Sequence, residues 1–107
     1  MIVVESREQL RELINQRVRE QGSNCDLNDI DVSKIDDMSF LFSGSEFNGD
    51  ISQWDVSNVE NMNYMFSNSQ FKGDLSKWNV SNVKHSRRTF YGSPLEGREP
   101  KWYVKTE

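Results

Sequence analysis

Apolar residues after position 26 recur on a 24-residue grid. Trp54, Trp78 and Trp102 share one position, with Ile30 taking it in the first unit. Val32, Val56, Val80 and Val104 share a second, Phe42, Phe66 and Phe90 a third, and Phe47, Phe71 and Leu95 a fourth. The polar positions follow the same rule: Phe47 to Val59 reads FNGDISQWDVSNV and Phe71 to Val83 reads FKGDLSKWNVSNV. A period of this length marks a stacking unit that buries its apolar face only against its neighbours. Within one unit, Trp54-Asp55-Val56 suits a very short strand. Val59, Met62, Met65 and Phe66 then fall on one face of about two helical turns. Ser57 with Glu60, and Ser33 with Asp36, have the spacing of capping boxes. Gly49 and Gly73 let the chain turn toward the next unit. The predicted unit is strand, corner, short helix, corner.

Ahead of the grid, Ser6 to Gln21 carries Leu10, Leu13, Ile14 and Val18 at helical spacing, with Ser6 and Gln9 as a capping box and Gly22 as a stop. This helix is expected to cover one end of the stack. Ile2-Val3-Val4 before it is either an added strand or an extended lid segment. The expected organisation is residues 1–23 as N-terminal strand and capping helix and 24–107 as repeat region with a C-terminal edge strand, one structural domain overall.

The segment FNGDISQWDVSNVENMNYMF closely resembles the repeat of the BspA-like leucine-rich-repeat family of bacterial surface proteins. The resemblance covers residues 25 to about 92 well and extends in weaker form to 104. It implies an α/β fold, a short leucine-rich-repeat solenoid of about three and a half 24-residue coils with an N-terminal capping helix. It also implies a role in binding other macromolecules, and no catalytic residues. The recurring Asn58/Asn82 and Ser57/Ser81 positions read as side chains that satisfy buried corners, and the tryptophan row as a core seam.

The third unit departs from the pattern. Ser86 and Thr89 stand where Met62 and Met65 would recur, among Lys84, His85, Arg87 and Arg88. Either the unit loosens as the stack ends, or this is a specialised basic patch. Pro94, Gly97 and Pro100 then break regular structure before Lys101 to Val104 returns as a predicted final strand. Such an exposed edge could pair with a second copy, giving an end-to-end homodimer.

Charge sharpens this picture. The net charge of −4 over 107 residues is unevenly spread. Residues 24–83 hold ten acids and three bases, and residues 84–107 six bases and three acids. The acidic middle argues against direct nucleic-acid binding, which needs several cations on one face. Cys25, the single cysteine, falls at the Gly49, Gly73 and Gly97 position and reads as a corner residue. One thiol cannot form an internal disulfide, so a reducing compartment is permitted. The N-terminus shows neither a signal-type apolar region nor a lipidation cysteine. Cytoplasmic placement with no membrane contact is therefore expected.

Catalytic and metal chemistry is sparse. A serine triad would have to use His85, which has no acid close in sequence to orient it. One Cys and one His do not make a zinc site. The acids Asp26, Asp29, Asp31, Asp36 and Asp37 lack the spacing of a calcium loop. No enzymatic activity, cofactor or metal is expected.

The function expected is a non-enzymatic module binding a protein partner. The strand-bearing face would present Asp29 and Asp31, then Gln53 and Asp55, then Lys77 and Asn79, then Lys101 and Tyr103. The basic patch Lys84, Arg87 and Arg88 is a second candidate surface. Two alternatives stand beside it: a phage- or mobile-element-encoded inhibitor of a host nucleic-acid-processing or defence protein, and a fragment of a secreted bacterial adhesin.

Overall fold

The computed structural model describes residues 1–105. Strand β1 (Ile2–Val3) is followed by helix α1 (Arg7–Gln21) and strand β2 (Ile30–Asp31). The two strands pair in parallel, with Ile2 opposite Ile30 and Val3 opposite Asp31.

Helix α1 is delimited by its side chains. Ser6 is extended (φ −144°, ψ 159°), and its Oγ accepts the Gln9 N–H at 3.1 Å. The Gln9 side chain reaches back to accept the Glu5 N–H at 2.8 Å, one residue earlier than in a regular capping box. At the other end Gly22 takes φ +95° and donates to the Val18 carbonyl at 2.9 Å. Leu10 and Ile14 are buried, with Leu13 and Val18 packed beside them. Polar anchors seat the helix: the Arg7 guanidinium donates to the Ser39 carbonyl at 2.7 Å, and Arg11 to that of Phe40 at 3.0 Å.

The rest of the chain corrects the expectation of an α/β leucine-rich-repeat solenoid of about three and a half coils. Among the described residues the regular structure is α1 and the two-residue strands alone, within a body of 35 × 25 × 22 Å. Trp54 to Val56 is not a strand, Val59 to Phe66 is not a helix, and Lys101 to Val104 forms no edge strand. The predicted capping boxes at Ser33 and Ser57 therefore have no helix to cap.

The reason is local. Ser, Asn and Asp side chains offer the backbone hydrogen bonds that compete with helix and sheet. Carboxamide or carboxylate oxygens of Asp26, Asp31, Asp37, Asp50, Asp55, Asn61, Asp74 and Asn79 each accept the N–H two residues on, at 2.8–3.1 Å. Tight turns absorb further donors: Trp54 to Ile51, Val59 to Val56, Trp78 to Leu75 and Val83 to Val80, at 3.0–3.2 Å. Amide groups committed to their own turns are not free for a ladder.

Residues 24 apart do meet in the core. Phe42, Phe66 and Phe90 stack with centroids 5.3 and 5.5 Å apart and ring planes within 3°. Trp54, Trp78 and Trp102 stack at 6.4 Å per step, and Phe47 on Phe71 at 6.0 Å. Such pairs contribute ~0.5–1.5 kcal/mol each beyond their buried area. The core thins toward the C-terminus, where Val80, Val83, Leu95, Trp102 and Tyr103 are only partly buried.

Backbone hydrogen bonds join the turn segments 38–45, 62–69 and 86–93 with a single polarity. The N–H groups of Met38, Phe40, Phe42 and Gly44 donate to the carbonyls of Asn61, Asn63, Met65 and Ser67 at 2.8–3.0 Å. Those of Met62, Tyr64, Phe66 and Asn68 donate to His85, Arg87, Thr89 and Tyr91 at 2.7–2.9 Å. Thr89 occupies the place of Met65 without leaving a polar hole. Its buried hydroxyl bonds the carbonyls of Met62 and Ser86 at 3.0 and 2.9 Å.

Candidate partner-binding site

The same turn segments that bury one row of phenylalanines turn another row, two residues earlier, toward the surface, with Phe40 and Arg88 exposed and Tyr64 half-buried. In the turn from Met38 to Leu41, the third position has a positive φ, as a type II turn demands. Phe40 (φ 59°), Tyr64 (57°) and Arg88 (50°) occupy that position in successive segments. Left-handed backbone costs a side-chain-bearing residue ~1–2 kcal/mol. At Tyr64 a ladder on either side holds it there, and at Phe40 and Arg88 a ladder on one side. Phe40 is 48% exposed, and its ring stacks on Tyr64 at 4.9 Å and 8°. Arg88 continues the series, with its guanidinium carbon 5.1 Å from the centroid of Tyr91, itself 48% exposed.

This row runs between two concavities. At the α1 end, a shallow groove is lined by Arg11, Asn15, Arg19, Phe40 and Glu46. At the C-terminal end, a cleft of about 120 Å³ lies between Arg88, Phe90 and Tyr91 on one side and Glu96, Glu99, Tyr103 and Lys105 on the other. Both acids of this cleft are turned to their own backbone. Glu96 accepts the Gly92 N–H at 2.9 Å and Glu99 the Gly97 N–H at 2.9 Å. The latter bond holds the Glu99 carboxyl below its ordinary range.

The residues expected to form a binding strip are scattered in role. Asp29 is engaged by Arg17 in a two-pronged ion pair at 2.7 and 3.0 Å, which holds its carboxyl low and raises the guanidinium further. Asp31 is half-buried and accepts the Ser33 N–H, and Asp55 and Asn79 bind Ser57 and Ser81 in the same way. The Gln53 N–H is held by the side chain of Asn28 at 2.9 Å. Lys77 and Lys101 are exposed. Tyr103 is half-buried, edge-on to Phe90 at 5.1 Å, and its hydroxyl donates to the Ser86 carbonyl at 3.0 Å. In the basic patch, Lys84 pairs with Glu60 at 3.5 Å, while Arg87 and Arg88 are exposed and pair with no carboxylate among the described residues. The structure thus joins Arg88 and Tyr103 at one cleft and assigns most of the remaining strip to turn construction.

Sequence reasoning missed Phe40, Tyr64 and Tyr91. The signal was present: Phe40, Tyr64 and Arg88 lie on the 24-residue grid, two places before the buried phenylalanines. In a continuous helix that offset would not have singled them out. In a run of tight turns it reverses the side chain to the surface.

Asn58 and Asn82, expected to satisfy buried corners, bond backbone carbonyls at exposed positions instead. Their side-chain amides donate to the carbonyls of Ser33 and Ser57 at 2.8 and 2.6 Å. Cys25 is buried, and burial pushes its thiol above the ordinary range. Among the described residues there is no cluster of three His, Cys, Asp or Glu side chains suited to a metal, and no helix long and apolar enough to cross a membrane.

Residues 9–106 match a family described as "Mycoplasma protein of unknown function, DUF285". The chain belongs to this family. No curated protein and no solved structure matches it. The family match spans α1 from Gln9 onward and every turn segment that carries this row.

Proposed function

We propose that the protein is a non-enzymatic module that binds a protein partner through the surface carrying Phe40, Tyr64, Arg88 and Tyr91. The observation that supports it most directly is exposed Phe40 stacked on half-buried Tyr64, both held in left-handed backbone. An exposed aromatic row flanked by arginines has the composition of interface hot spots, where Tyr, Trp and Arg dominate the binding energy. Residues kept in a costly conformation on a surface point to use rather than to packing.

The test is capture from the native host with three forms of the protein: wild type, Phe40→Ser with Tyr64→Ser, and Lys84→Glu with Arg87→Glu and Arg88→Glu. A stoichiometric protein partner retained by wild type and lost by the aromatic variant supports the reading. A partner indifferent to both variants removes this surface from consideration. A retained nucleic-acid-processing enzyme would favour the inhibitor function instead.

A second reading is supported by the likeness of FNGDISQWDVSNVENMNYMF to the BspA-like repeat of bacterial surface proteins. The module would then be part of an adhesin whose partner is displayed on another cell. Binding of the purified protein to intact host cells, abolished by the aromatic variant, distinguishes it from an internal role.

A further inference from the structure

The one-way ladder has two ends, and they are finished differently. Within it, donors always lie on the earlier segment and carbonyls on the later one. At the α1 end the leftover groups are carbonyls, and Arg7 supplies a guanidinium to that of Ser39 at 2.7 Å. At the far end the leftover groups are the N–H donors of Ser86, Arg88, Phe90 and Gly92. Only Gly92 finds an acceptor, the carboxylate of Glu96 at 2.9 Å. The other three donate to no oxygen among the described residues.

Phe90 is 1% exposed, so its unmet donor is closed to water and to a partner alike, and the open donors of this row are those of half-buried Ser86 and exposed Arg88. The carbonyls of this edge are already used. Arg88 O accepts from Tyr91, Phe90 O from Ser93, and Ser86 O from Tyr103. The edge therefore offers donors alone, at every second residue, and the 120 Å³ cleft opens over Arg88 and Phe90.

We infer that this end is a docking slot for an extended, acidic segment of a partner protein, which adds its carbonyls to the Ser86 and Arg88 N–H groups. The inference rests on the protein-binding reading and gives it a place and a chemistry. An extended chain presents carbonyls on one side at alternate residues, the spacing that the two internal ladders already accept. Acidity follows from charge. Arg87 and Arg88 face solvent without a carboxylate among the described residues, Lys105 lines the same cleft as Arg88, and Glu96 shows a carboxylate seated on the same donor row. A second copy does not fit, because an end-to-end pair related by a two-fold axis would set donors against donors.

The test uses isotope-labelled full-length protein and two synthetic eight-residue probes, one alternating Asp with Val and one alternating Lys with Val. In the free protein the Ser86 and Arg88 amides should exchange with solvent much faster than those of Tyr64 and Phe66. The Asp/Val peptide should slow both and shift their resonances, and bind at least about ten-fold tighter than the Lys/Val peptide. Arg88→Gly relieves a positive φ, so it should keep the melting temperature while weakening the acidic peptide by about ten-fold. Protection of both amides in the free protein would overturn the inference, since the slot would already be filled. So would their protection through concentration-dependent self-association, or an Asp/Val peptide that leaves them unmoved. If the peptide fails while a host partner is still captured through Phe40 and Tyr64, the slot falls and the protein-binding reading stands.

Discussion

The indole N–H of Trp78 donates to the carbonyl of Ile51 at 3.0 Å, 27 residues back along the chain. Trp54 does the same to Leu27 at 2.9 Å, and Trp102 to Leu75 at 2.8 Å. Trp78 and Trp102 thus each stack on the tryptophan before them, and all three indoles add a second donor to a carbonyl that already accepts a turn N–H. The row is at once core and polar clamp.

Trp78→Phe separates the two roles, keeping a ring in the stack and leaving the Ile51 carbonyl with the Trp54 N–H alone. The expected loss is ~0.5–1.5 kcal/mol. Trp78→Ala should lose ~3–5 kcal/mol. Urea denaturation of both variants checks the order; equal losses would mean that the stacked ring contributes nothing, and an unchanged Trp78→Phe that the hydrogen bond contributes nothing.

Gly49 sits where the chain passes close under Cys25. A Cβ built there would lie 1.8 Å from the Cys25 carbonyl oxygen. Because that obstacle is backbone, Gly49→Ala should destabilise by ~1–3 kcal/mol or more. At Gly73 the nearest atom is the Phe71 ring at 2.7 Å, a side chain that can shift, so Gly73→Ala should cost less. Thermal melts of the pair decide whether the backbone contact is real.

Phe40 offers a measure of the strain in the exposed row. With φ at 59°, Phe40→Gly should be more stable than Phe40→Ala by ~1–2 kcal/mol, the reverse of the usual helix ranking. Identical stabilities would show that the left-handed backbone is not imposed on this residue.

Acid should unfold the protein from a defined side. The carboxyls of Asp29, Asp31, Asp50 and Asp74 lie below their ordinary range because they accept side-chain hydrogen bonds, from Arg17, Ser33, Asn28 and Ser76 respectively. At Asp37 burial opposes the shift, but bonds from Ser39 outweigh it. Groups with depressed folded-state values stabilise the fold above the ordinary carboxylate range, about pH 4. That contribution is lost as pH falls through the depressed values. Denaturation midpoints should therefore be flat from pH 7 to about 5 and drop below about 4. Asp29→Asn should reduce the drop modestly, since its carboxylate is 53% exposed and screened by water.

The grid in the sequence determined which residues meet. Rows such as Phe42–Phe66–Phe90 and Trp54–Trp78–Trp102 follow from spacing alone, because equivalent apolar positions bury most area when set in register. Helix α1 was equally legible, since Ser6, Gln9 and Gly22 state its ends and Leu10 and Ile14 its buried face. The route of the backbone between those rows was decided only by the tertiary structure. Trp-x-Val and Val-x-x-Met read as strand and helix by periodicity, yet the Asp and Asn residues beside them capture the amides in turns first. The same competition put Phe40, Tyr64 and Arg88 outside. Spacing is a property of the chain, but whether an amide bonds its own turn or a neighbour depends on how closely the next segment is packed against it.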